Sequence, residues 1–208
     1  MSGSGRNNVR DTAVFNERQL RDALGQFATG VAIICARAPD EHRKAASRSE
    51  VRRSGGQRSD EAASVSESYN RYAGFTANSF MSVSLDPPLI LWTLSNRSTS
   101  LAAFDAAPRY AINVLSTGQV GLAQRFSRPH VDRFAGVAFR LGWSDAPLVD
   151  DCVAWFECRH HAQHRAGDHT VFIGEVVTVE RARGHGLVFQ HGRFAAATPL
   201  VDQALVRS

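Results

Sequence analysis

The sequence predicts a mainly β fold, an antiparallel barrel that is closed or nearly closed and carries a few short helices. Three observations point there. Strand-like apolar runs are many, whereas helix-like segments are few and short. Residues 152–183, "CVAWFECRHHAQHRAGDHTVFIGEVVTVERAR", read as two long strands joined by a turn near Gly167. No repeat period is visible, so the chain is not an array of small units. With 208 residues and 43% hydrophobic content, it suits one domain able to bury a real core.

Residues 1–14 read as a flexible tail ahead of a domain spanning 15–208. "FNERQLRDALGQFATG" predicts a helix, because Phe15, Leu20, Leu24 and Phe27 recur at roughly helical spacing and Gly30 is a stop signal. "VAIICAR" follows as a buried strand. Residues 38–72 then hold seven basic and six acidic residues, many Ser and a Gly-Gly, with few large apolar side chains. That composition predicts a disordered insertion, read either as a lid or docking segment or, preferably, as an addition without a role in the site. "FTANSFMSVSL" and "PLILWTL" read as strands around Pro87-Pro88, "STSLAAFDAAP" as a short helix capped by Ser98, Thr99 or Ser100, and "RYAINVLS" as a strand. "GQVGLAQRFS" is a second short helix, residues 131–149 are irregular, and "LVFQHGRFAAAT" closes the sequence as a last strand.

Composition excludes several classes. The net charge of +4 invites a nucleic-acid reading, but Lys44 is the single Lys among 24 basic residues, and the Arg are interleaved with acids rather than striped along a face. No apolar run approaches the roughly 20 residues of a membrane helix, and the N-terminus has no apolar signal core. Cys35, Cys152 and Cys158 are odd in number and scattered, which fits a reducing cytoplasm better than a disulfide framework. No membrane or nucleic-acid partner is expected.

The His-rich segment looks like a metal box but lacks its geometry. On a regular strand Cys158, His160 and His164 share one face and His161 the other. His160 and His164 then lie about 13 Å apart, too far for donors about 2 Å from one zinc ion. There is no CxxC, HExxH, GxSxG, Walker A or strand-GxGxxG-helix, so no metal is expected and neither a hydrolase nor a P-loop enzyme has support.

What remains is "GFTANSFMSVSLDPPLILWTL" at 74–94, the segment after it, and "GDH" at 167–169. Together with "FATGVAII" at 27–34, "YAINVLSTGQVGLAQRFS" at 110–127, "GDHTVFIGEV" at 167–176 and "LVFQHGRF" at 187–194, these blocks resemble, in the family's order, the flavin reductase-like domain family. Its members are FMN-binding split barrels that include the reductase components of two-component flavin monooxygenases. The resemblance covers most of the chain outside the first residues and the 38–72 insertion. Two departures stand out: that insertion, where relatives have a short connection, and Asp150-Asp151 in a segment that relatives often keep apolar.

The resemblance implies that Thr76, Ala77, Asn78, Ser79, Ser82, Val83 and Ser84 line the flavin ring and ribityl chain. The residue chemistry agrees, because a flat ring rimmed with donors and acceptors needs backbone amides and small polar side chains at close range. It implies a phosphate site at Arg97, Ser98, Thr99 and Ser100, where helix N–H groups favour an anion, although those residues also suit a plain helix cap. Arg125, Phe126 and Arg193 are weaker pocket candidates. His169 is implied to position the nicotinamide of NADH or NADPH, with Asp168 orienting the imidazole or holding the turn and Gly167 permitting it. The function implied is an NAD(P)H:flavin oxidoreductase of EC 1.5.1 type using FMN, or FAD, and supplying a separate flavin-dependent monooxygenase, with the chain acting as a homodimer. Alternatives are a split-barrel enzyme that keeps its FMN and acts on an organic substrate itself, and a flavin-binding protein without turnover.

Overall fold

A computed structural model describes residues 14–39, 71–129 and 132–198. The tail expected at 1–14 and the insertion expected at 38–72 lie outside the described residues, apart from Val14, Ala38, Pro39, Arg71 and Tyr72.

The chain opens with α1 (Glu17–Leu24), begun by a capping box in which Asn16 and Gln19 exchange side-chain-to-backbone hydrogen bonds, both 2.9 Å. The helix stops at Gly25 rather than Gly30. From there the backbone turns to meet the C-terminal hairpin, with the His191 N–H donating to Gly25 O at 2.9 Å. Strands β1 (Thr29–Gly30), β2 (Ala32–Arg37), β3 (Tyr72–Ala77), β4 (Met81–Leu85) and β5 (Pro88–Ser95) follow, then α2 (Leu101–Ala106), β6 (Arg109–Val114) and α3 (Val120–Ser127). The remainder is β7 (Phe139–Leu141), β8 (Pro147–Val149), β9 (Ala154–Ala166), β10 (His169–Arg181), β11 (Leu187–Gln190) and β12 (Arg193–Ala196).

Seven strands form one antiparallel sheet in the order β3-β2-β6-β9-β10-β5-β4, flanked by β1-β11-β12 and the β7-β8 pair. The sheet curls so that its two ends come together. The Phe75 ring on β3 lies 5.6 Å from Trp92 on β5, and Ser79 Oγ accepts the Thr93 N–H at 3.0 Å. The barrel interior holds Ala32, Ile34, Phe75, Ile90, Trp92, Tyr110, Ile112, Cys158 and Phe172, with Trp92 stacked on Phe172 at 4.2 Å. Gly174 makes this packing possible, since a Cβ there would lie 2.1 Å from the Tyr110 hydroxyl. A second core outside the sheet takes Val31, Ile33, Cys35, Leu115, Ala123, Phe126, Phe134 and Leu148. Strand β2 is therefore buried on both faces, which explains its unbroken apolar run.

Two buried polar groups tie the layers. Asn113 on β6 donates to Ile33 O and Pro147 O at 3.0 and 3.2 Å and accepts the Val149 N–H at 2.8 Å. Glu157 on β9 accepts the Ser144 N–H at 2.6 Å and the Ser144 and Thr178 hydroxyls at 2.8 Å each. Burial acts to raise the Glu157 pKa, but these donors together with the Trp143 N–H outweigh it, and the carboxyl ends below its ordinary range.

Four expectations are corrected. "FTANSFMSVSL" is two strands, because the Asn78–Phe80 bend carries the chain from the β2 edge of the sheet to the β5 edge. "LVFQHGRFAAAT" is a hairpin, because His191 and Gly192 take φ of 51° and 73°, which reverses the chain. The irregular 131–149 stretch contains the β7-β8 hairpin. A bulge at His161, where Ile173 faces Ala162 but Gly174 faces His160, breaks the alternation expected for the His-rich strand. Cys158 is buried, His160 partly so, and His161 and His164 exposed. Among the described residues, no group of three or more His, Cys, Asp or Glu could hold a metal ion.

Candidate flavin and nicotinamide site

The end of β5 gathers most of the predicted site. Ser95 pairs with His169 at the start of β10, and the Asn78–Phe80 bend is held against Thr93 by the Ser79 hydroxyl. The segment leaving β5 runs through Arg97, Ser98 and Thr99 to Ser100, which precedes α2. The bend, the polar segment and the Gly167–His169 turn thus meet around three consecutive residues of one strand end.

The predicted residues differ in what they have left to offer. Asn78, Ser82 and Val83 are exposed. Val83 is the extra residue of a bulge opposite β5. Ser79 is committed to Thr93, and Ser84 Oγ accepts the Asp86 N–H at 3.2 Å. Thr76 donates its hydroxyl to Ala123 O at 2.7 Å, toward α3, and Ala77 is buried in the barrel. These two have backbone rather than side chain to give. Ser98 Oγ accepts the Ser100 N–H at 3.2 Å in a local turn, while Ser100, the N-cap of α2, makes no side-chain capping bond, so the expected hydroxyl cap is not formed. Thr99 and Arg97 are exposed.

Phe126 is fully buried and packs 5.0 Å from Phe134, so its ring offers no surface to a ligand. Arg125 donates twice to Asp132 O, at 3.2 and 2.9 Å. Arg193 lies on β12 of the three-stranded sheet, which is not hydrogen-bonded to β4 or β5 in the sheet order of the described strands.

Arg133 is a residue that the sequence reading missed. Arg133 is half-buried; its Nη1 donates to Gly74 O at 2.7 Å and to Ser100 Oγ at 3.1 Å, and Nε and Nη2 donate to Arg128 O. All of these acceptors are neutral. Burial lowers the pKa of its guanidinium, which nonetheless stays charged. A half-buried cation beside the Arg97–Ser100 segment, with no carboxylate partner among the described residues, fits an anion such as a phosphate. Nothing local distinguishes this Arg among so many.

At the turn, Gly167 takes φ of 62°, and His169 Nδ1 lies 2.8 Å from Asp168 Oδ1. The hydrogen bond and charge of His169 hold the Asp168 carboxyl below its ordinary range, with a smaller contribution from Arg97. An ionised Asp168 fixes the proton on Nδ1, which leaves Nε2 as the unprotonated, accepting nitrogen. Exposed amide and hydroxyl groups for a ring edge, two cations near a hydroxyl-rich segment and an oriented imidazole form a donor set that fits a flavin nucleotide beside a nicotinamide.

The fold and this site define a split barrel of the flavin-binding class. Residues 24–198 match the family described as Flavin reductase like domain, and the chain belongs to that family. It is 39% identical over 181 residues to a probable flavin reductase of Rhizobium meliloti, covering 87% of this chain and 49% of the relative. It is 34% identical over 182 residues to the reductase component of the flavin-dependent trigonelline monooxygenase of Acinetobacter baylyi, covering 88% and 49%. The chain spans about half the length of both. Among solved structures it resembles the Streptomyces globisporus NADH:FAD oxidoreductase SgcE6 in complex with NAD and FAD fragments. The TM-score is 0.70, with 34% identity over 90% of this chain and 96% of that one.

Proposed function

We propose that this protein is an NAD(P)H-dependent flavin reductase of EC 1.5.1 type that passes reduced FMN, or FAD, to a separate flavin-dependent monooxygenase. The observation that carries the reading is the Asp168-oriented His169 beside Ser95, at the strand end that also bears the Arg97–Ser100 segment. Bound flavin supplies the hydride acceptor; the protein's task is to hold the nicotinamide against it. Asn78, Ser82 and the backbone of Thr76 and Ala77 hold the ring edge and ribityl chain. Arg97, Thr99 and Arg133 hold the phosphate, and Nε2 of His169 orients the nicotinamide amide. Hydride transfer needs no protein acid or base, so His169 acts by placement. The relatives named as a flavin reductase and as a monooxygenase reductase component support this reading.

A second copy of the chain completes the assembly in this reading. Phe15, Leu20, Leu24 and Phe27 around α1 and Met81, Val83 and Leu85 on edge strand β4 are all exposed, and apolar side chains of this kind are what a second copy would cover. Three free, buried thiols fit a cytoplasmic setting.

The test is a cofactor matrix: NADH or NADPH oxidation followed with added FMN, FAD or none, alongside light scattering for the oligomeric state. Turnover that requires added flavin supports the reductase. Bound flavin that neither nicotinamide reduces overturns it, and a monodisperse monomer overturns the dimer.

A further inference from the structure

Asn96, immediately after β5, makes three contacts to one turn. Its backbone N–H donates to Asp168 O at 2.9 Å, its Nδ2 donates to Gly167 O at 3.2 Å, and its Oδ1 accepts the Thr170 hydroxyl at 2.7 Å. The Gly167 carbonyl can only accept, which fixes the amide orientation and makes Thr170 the donor. A short side chain carrying a donor and an acceptor at one end is needed, and Asn supplies both.

Gly167 and Asp168 are exposed and His169 is half-exposed, and beyond the His169–Ser95 pairing it is Asn96 that holds the hairpin tip to the end of β5. Thr170, by contrast, is buried. The amide therefore clamps the tip to a fixed point on either side of His169. The next residues along the chain are Arg97 to Ser100, so the clamp also joins the turn to the proposed phosphate segment.

We propose that Asn96 is a positioning residue for nicotinamide binding, acting through the Gly167–Thr170 turn on His169. This rests on the reading of His169 given above. In the intact protein, Asn96→Ala raises KM for NADH about tenfold, as displacement of a positioned group does, while the affinity for FMN, read by fluorescence quenching, changes less than about twofold. Thr170→Val, of the same shape without the hydroxyl, raises KM in the same direction, and Thr170→Ser restores it. Should Asn96→Ala fail to fold, the Thr170 pair carries the test.

In a His169→Ala background the Asn96→Ala effect on KM vanishes. A full, additive effect there, or an unchanged KM in Asn96→Ala and Thr170→Val alike, overturns the proposal while leaving the role of His169 intact. An unchanged KM in His169→Ala itself overturns both.

Discussion

Asp168 Oδ1 and His169 Nδ1 lie 2.8 Å apart although the two residues are sequence neighbours on a hairpin tip. The contact selects the tautomer that leaves Nε2 free of a proton and able to accept a hydrogen bond. Asp168→Asn removes the charge that selects it. Its carboxylate pKa is depressed, so the orienting charge is present above the ordinary carboxylate range and lost as pH falls through the depressed value. Steady-state kinetics should show KM for NADH raised several-fold in Asp168→Asn near neutral pH, with wild type approaching the variant in acid. A constant ratio across pH would refute the assignment.

Arg133 should discriminate flavins by their phosphate. Arg133→Met removes a charge-assisted contact, weakening FMN binding about tenfold or more. Riboflavin has no phosphate and should bind the variant as it binds wild type. The ratio of the two affinities isolates the phosphate term from any general loosening around Gly74 and Arg128.

Glu157 makes stability pH-dependent in a defined direction. Glu157→Gln disturbs a carboxylate that accepts from Ser144 and Thr178 and should cost about 1–3 kcal/mol at neutral pH. Because the folded pKa is lowered, the stabilisation is present above the unfolded carboxyl pKa and disappears as pH falls through the folded one. Denaturation curves for the two proteins should therefore converge in acid, and a gap that widens there would contradict the assignment.

Gly174→Ala places a methyl against Tyr110 and should destabilise by about 1–3 kcal/mol through overpacking. Among the described residues the Tyr110 hydroxyl is buried beside the Trp92 side chain without a well-formed hydrogen bond, so Tyr110→Phe should be neutral or stabilising and should recover part of the loss in the double variant. Thermal melts of the four proteins decide it.

The barrel was legible in the sequence where one period runs long. Strands β9 and β10 announced themselves by length and by Gly167 between them. Short hairpins were not legible: the His191-Gly192 reversal hides inside an apparently continuous strand, and β7 and β8 have three residues each, too few for alternation to show. The Asn78–Phe80 bend is made by a Ser79–Thr93 contact across 14 positions, which no local pattern encodes. For the candidate site, motif and resemblance pointed to the segment after β5 and to the GDH turn, which the fold brings side by side. They offered Phe126 as a weaker pocket candidate, whereas tertiary packing against Phe134 draws it into the core. Arg133 and Asn96 passed unnoticed because their roles arise from partners 33 and 71 or more positions away.

The ladder between β2 and β3 runs out to Arg37 and Tyr72, and one further hydrogen bond, Ala38 N–H to Arg71 O at 2.8 Å, follows at its open end. The other end of β3 leads to Asn78. The barrel strands are thus zipped shut before the long intervening stretch begins, and on the side remote from the strand end that bears the site. This makes the junction a graft point. Closure entropy grows slowly with the number of residues joined, about 0.6 kcal/mol per doubling, so the β2–β3 register does not depend on how many residues separate the two strands.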